Sequence, residues 1–196
     1  MIPAQFVFLA AAVSALGLAA YVRDTVRGRT QPNRVTWFLW ALAPLIAFAA
    51  ELQEGVGLPA VMTFMVGFGP LVVFLVSFVD RQAYARVTRF DLVCGGLSIL
   101  ALVAWRATGK GTVAILFSLL ADLLAAVPTL RKGYREPHTE TAAAFGCSFV
   151  SAAITLLTIT DWSFAVAAFP IYILCMSALL FTLVRFPRLR PATIAT

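Results

Sequence analysis

The chain has 196 residues, 61% of them hydrophobic and 12% charged, with a mean hydropathy of +0.92. An ordinary soluble domain carries about 25% charged residues, so a fold in water lacks the polar surface to cover this sequence, whereas a bilayer solvates apolar side chains directly. The length suits one compact bundle with no separate soluble domain. The net charge of +6 invites a nucleic-acid reading. That reading is set aside because the basic residues stand in short segments between apolar runs and form no basic face.

Seven apolar runs follow one another, roughly 4–22, 35–52, 58–79, 91–105, 112–130, 141–159 and 163–184. A helix needs about 20 such residues to cross the hydrocarbon core. The first run lacks the basic leader of a signal peptide and reads as a retained helix. The third holds Gly67 and Gly69 beside Pro70, which predicts a bend. The fourth is the shortest and contains Gly95-Gly96. The fifth and seventh carry Pro128 and Pro170, which membrane helices tolerate when neighbours satisfy the freed carbonyls.

The segments 23–34, 80–90, 131–140 and 185–196 hold every lysine and arginine except Arg106 and Lys110. Those two stand on the other side with Glu51, Glu54 and Asp161. The positive-inside rule then predicts an outside N-terminus and a cytoplasmic C-terminus, and an odd number of spans. Trp105 and Trp162 fall at the predicted outer interface, and Tyr21, Trp37 and Tyr134 near the inner one, as an aromatic belt. Cys94, Cys147 and Cys175 lie in apolar stretches and read as buried thiols. With His138 the only histidine, no metal or cofactor site is expected.

A shift of 105 residues pairs Gly28 with Gly133, Pro32 with Pro137 and Thr36 with Thr141. It lays helices one to three on helices five to seven without a gap. Three helices, a linker helix and three more give both halves the same orientation, which is a parallel repeat about the membrane normal. The predicted fold is therefore all-α and integral to the membrane. Its parts are a first triple-helix bundle over 1–88, a linker helix over 89–110, and a second bundle with a short tail over 111–196.

This 3+1+3 layout, together with Pro128-Thr129-Leu130-Arg131-Lys132 leading to Glu136-Pro137-His138-Thr139-Glu140-Thr141, resembles the SWEET and PQ-loop superfamily of membrane transporters. The pair Trp37 and Trp40 is similar to tryptophans at the substrate site of the neighbouring PnuC-like nicotinamide riboside transporters. The resemblance implies alternating access between two triple-helix bundles around a midplane site. Of the family's hinge prolines, Pro128 and Pro44 fit, and Pro170 supplies a further one. The first half has Arg23 where a proline is expected, and the last helix of neither bundle carries the sugar-contacting asparagine, Asn33 being the only asparagine. Sugar is thereby disfavoured as the solute.

Asp122 stands near the middle of the fifth run, where a charge costs about 2.5–3.5 kcal/mol on insertion scales. No lysine or arginine stands at comparable depth. The carboxyl group therefore binds solute or protons in a wet cleft, or else cements two helices as a neutral acid. Ser118, Asp122, Ala125 and Thr129 share one helical face. Thr141, Ala144, Ser148, Ser151, Thr155 and Thr158 form a second stripe, either lining a pathway or packing as a seam. Tyr172, at mid-depth, needs a hydrogen-bond partner, and Trp40 lies deeper than Trp37, which reads as an anchor.

The expected substrate-binding set is Asp122, Tyr172, Trp40, Ser148, Ser151 and Ser118, acting on a small polar solute. The expected partners are that solute and the lipid bilayer, with a homo-oligomer left open. One buried acid and one histidine offer no catalytic cluster, so no enzyme is expected. A retinal protein is excluded because Lys110 and Lys132 both stand at helix ends. A non-enzymatic receptor or a structural subunit is the alternative. Arginine far outnumbers lysine and alanine abounds, which points to a GC-rich bacterial source and to the cell (inner) membrane.

Overall fold

The computed structural model describes residues 2–3, 5–53, 58–79, 85–108, 111–160, 162 and 164–187. Side chains are described for these except at 43, 46–53, 58–63, 65, 101, 102, 104–106, 108, 111–115, 117, 118, 165 and 166. Among the described residues the chain is all helix. Seven α-helices run in order as α1 (Phe6–Val26), α2 (Arg34–Gln53), α3 (Leu58–Val76), α4 (Arg89–Thr108), α5 (Gly111–Arg135), α6 (Ala142–Thr158) and α7 (Phe164–Arg185). A short 3-10 turn, Pro137–Thr139, precedes α6. Phe6–Val26 and Ala167–Arg185 are each long and apolar enough to cross a membrane.

Local chemistry sets the helix ends. Gly28, with φ 68°, closes α1: its N–H bonds the Thr25 carbonyl, and Arg29 N–H bonds the Asp24 carbonyl at 2.8 Å. That paired arrangement needs a left-handed residue, which glycine supplies without strain. Asn33 opens α2, its Oδ1 accepting from the N–H groups of Val35 and Thr36 at 3.1 and 3.2 Å. Thr88 and Asp91 open α4 as a reciprocal capping pair. The fifth run extends one turn beyond its apolar part, through Lys132 to Arg135. In consequence Gly133 is helical where its sequence counterpart Gly28 makes a turn.

The helices pack as a closed ring. α1 contacts α3 and α6, α2 contacts α3 and α5, and α7 contacts α5 and α6. α4 lies outside this ring against α5 and α2. Ser98 of α4 donates to the Ala121 carbonyl of α5 at 2.6 Å, beside Asp122. Arg34, at the start of α2, donates to the Ser77 carbonyl at 2.6 Å and lies over the Phe78 ring at 4.1 Å, so the far end of α3 is held to it.

The outward faces are apolar. Phe8 and Leu16 on α1, Leu75 on α3, Leu92 and Leu100 on α4 and Leu157 on α6 are all exposed. Several residues depart from expectation, among them Cys147, which is half-buried instead of buried. Cys175 is exposed on the outer face of α7 instead of buried. Tyr21 is fully buried instead of sitting in an interfacial belt, because a hydrogen-bonding partner from a distant loop meets its hydroxyl.

α1 and α6 approach closely at Gly17. A Cβ built on Gly17 would lie 2.6 Å from Cys147 Cβ and 3.2 Å from the Ala144 carbonyl oxygen, so a side chain there must push the helices apart. Gly96 on α4 has nothing within 4 Å. Gly17→Val is expected to destabilise the protein by about 1–3 kcal/mol through overpacking. Gly96→Ala is expected to be neutral or to stabilise by up to about 1 kcal/mol through helix propensity. Thermal unfolding of the two purified variants in detergent checks both signs.

Candidate functional site

The ring surrounds a half-open cavity of about 450 Å³. Among the described residues, all six ring helices line it and α4 does not. Its wall includes Ser14 and Tyr21 of α1, Trp37, Trp40 and Pro44 of α2, and Pro70 of α3. From the other half come Asp122 of α5, the α6 residues Ala144, Ser148, Ser151 and Thr155, and Phe169, Pro170 and Ser177 of α7. Such a volume fits a small organic molecule, and a mostly apolar wall with a few polar groups is usual for ligand sites.

Asp122 projects into this cavity roughly 16 Å from one end of α5 and 20 Å from the other, at 1.5 Å of rise per residue. The Tyr172 hydroxyl donates to its Oδ2 at 2.6 Å. Among the described residues, no basic side chain lines the cavity. The indole Nε1 of Trp40 is buried near the same carboxylate without reaching hydrogen-bond geometry, and it has no other partner. A buried donor left unpaired is unfavourable by about 1–3 kcal/mol, and the acceptor that lies near it is the Asp122 carboxylate. Pro44 adds a further polar group, because it lacks the N–H that would otherwise bond the Trp40 carbonyl one turn earlier.

Of the residues singled out by sequence, Asp122, Trp40, Ser148 and Ser151 line the cavity together. Tyr172 does not line it and instead orients Asp122 from behind. The Ser118 side chain lies outside the described residues. Pro44 and Pro170 line the cavity, whereas Pro128 is buried in α5 away from it. Part of the α6 stripe faces the cavity and part of it packs. Ala144, Ser148, Ser151 and Thr155 face the cavity, and Ala144 also packs on Gly17. Thr155 returns its hydroxyl hydrogen to the Ser151 carbonyl at 2.9 Å.

Trp37 is no interfacial anchor. It is buried and lines the cavity, and its Nε1 donates to the Tyr21 hydroxyl at 3.2 Å. Tyr21 in turn donates to Glu140 Oε2 at 2.8 Å, and Lys132 Nζ donates to Glu140 Oε1 at 2.7 Å. Lys132 also donates to the carbonyls of Thr139, at 3.0 Å, and Gln31. All three ammonium hydrogens are thus used and the buried pair is fully satisfied. Sequence reading missed this network: Lys132 was counted as an orienting charge and Glu140 as part of a polar loop. The one signal for it was an acid following a basic helix end by eight residues.

The Asp122–Tyr172 bond is expected to contribute about 0.6–1.7 kcal/mol, the range found between membrane helices. A double-mutant cycle of Asp122→Asn, Tyr172→Phe and their combination, read by unfolding in detergent, measures it. A coupling near zero would separate the two groups.

No protein-family model, curated protein or solved structure matches the chain, so what the site does is argued from its geometry.

Proposed function

We propose that the protein is a multi-pass membrane transporter or facilitator for a small polar solute, which binds at the Asp122 cavity between two like-facing triple-helix units. The observation that carries this reading is the carboxyl group of Asp122 facing a ligand-sized cavity at mid-helix. An ionisable residue inside a membrane helix marks a solute or ion pathway by default.

Helix dimensions support the membrane placement. The seven helices are 17 to 25 residues long, the range that crosses a hydrocarbon core. Their outward faces are apolar, as lipid requires. The basic loops assign the 27–33 and 136–141 end of the bundle to the cytoplasm, with the N-terminus outside.

Two further observations favour the 3+1+3 repeat of the SWEET and PQ-loop transporters. The contact order α1–α3–α2 recurs as α5–α7–α6, with α2·α5 and α1·α6 closing the ring about a pseudo-two-fold. A pair of hydrogen bonds obeys the same 105-residue shift. Thr129 donates to Thr36 at 3.0 Å, and Thr141, the counterpart of Thr36, donates to Asp24, the counterpart of Thr129, at 3.3 Å. The shift lays Gly17 against Asp122, so the site itself is one-sided.

A thermal-shift screen of the purified protein with sugars, nucleosides, amino acids and quaternary ammonium ions tests this reading. At least one class is expected to raise the melting temperature. Asp122→Asn is expected to weaken that binding about tenfold or more, equivalent to about 1.4 kcal/mol. Binding that survives the substitution unaltered at every pH would remove Asp122 from the site.

A further inference from the structure

At its basic end the cavity meets a floor of buried polar groups. Among the described residues its lining there reaches Tyr21 on α1, Trp37 on α2, Ala144 on α6 and Leu180 on α7. All four stand toward the end where α1 and α5 pass into the loops 27–33 and 136–141. Beneath this floor lies the Lys132–Glu140 pair, with side-chain exposures of 7% and 0%, capped by a fully buried Tyr21.

The bonds at this end tie one half of the chain to the other. Tyr21 and the Gln31 carbonyl, from the first half, meet Glu140 and Lys132 from the second. Gln31 N–H donates to the Thr139 carbonyl at 2.9 Å, and the Thr30 and Thr141 hydroxyls bond each other. Separating the halves here breaks these bonds together. The 105-residue shift places Arg27 and Val35 opposite Lys132 and Glu140, so the first half has no matching ion pair.

We propose that Lys132, Glu140, Tyr21 and Trp37 form a latch that holds the cavity shut toward the basic face, and that releasing Glu140 from Tyr21 and Lys132 opens it. The latch rests on the transport reading and adds its gating. Trp37 connects the latch to the solute site. Its ring lies 4.7 Å from Tyr21 on one side and 5.2 Å from Trp40 on the other, by centroids. A solute that repacks Trp40 against Asp122 moves Trp37, and Trp37 moves the hydroxyl that holds Glu140. A low-dielectric setting makes this chain strong when complete and unstable once one member leaves.

Ser148→Cys, in a background with Cys94, Cys147 and Cys175 replaced by alanine, places a reporter thiol on the cavity wall. A membrane-impermeant thiol reagent is added to membrane vesicles of both orientations, so the basic face is presented separately from the opposite face. With the latch intact, labelling from the basic face is expected to be slow. Glu140→Gln is expected to accelerate it about tenfold from that face alone, and Tyr21→Phe, which keeps the ion pair, about threefold. If Glu140→Gln fails to fold, Tyr21→Phe decides. Unchanged labelling in the folded variants, or equal acceleration from both faces, overturns the latch. The readout needs no solute, so failure of the latch and failure of the transport reading are seen in separate experiments.

Discussion

A carboxyl group halfway along an apolar helix has to be solvated by something, and the rest of the arrangement follows from how this chain does it. No basic side chain among the described residues lines the cavity around Asp122. The Tyr172 hydroxyl reaches one of its oxygens, the Trp40 indole N–H lies near, and the side chain faces the cavity. In hydrocarbon, the insertion penalty for such a group is about 2.5–3.5 kcal/mol, a cost that persists unless water or a ligand reaches it. The ring of six helices keeps the carboxylate off the outward surface and sets it among aromatic rings and small hydroxyls.

The two ends of the cavity wall differ in kind. Around Asp122 the polar groups are sparse and one donor, Trp40 Nε1, is unpaired. At the basic end every hydrogen of the Lys132 ammonium has an acceptor and both Glu140 oxygens are engaged. An incomplete polar set invites a ligand, and a complete one rigidifies its surroundings. The pair at Trp37 and Tyr21 belongs to both regions, which is why a change in the first has a mechanical route to the second.

Much of this was legible in the sequence. Apolar run lengths located the helices to within a few residues, since loop residues interrupt each run near a helix end. The periodicity of 3 and 4 in the α6 stripe put Ser148, Ser151 and Thr155 on one face, and that face is the cavity wall. Asp122 stood out because charge is rare at such depth. What escaped notice depended on contacts between distant parts of the chain. Tyr21 and Glu140 are 119 residues apart, and nothing local to either distinguishes an interfacial tyrosine from a buried one. The Gly28 and Gly133 match was misleading as a conformational guide, because α5 continues through its glycine while α1 ends at its own.

The central claim is that water reaches the position of the Asp122 side chain while its helix neighbour Leu123, exposed on the outward surface, meets lipid. Asp122→Cys and Leu123→Cys, each in the cysteine-free background and in native membranes, separate these environments when treated with a membrane-impermeant thiosulfonate. The account predicts rapid modification at 122 and little at 123. Modification at 123 with none at 122 would contradict it.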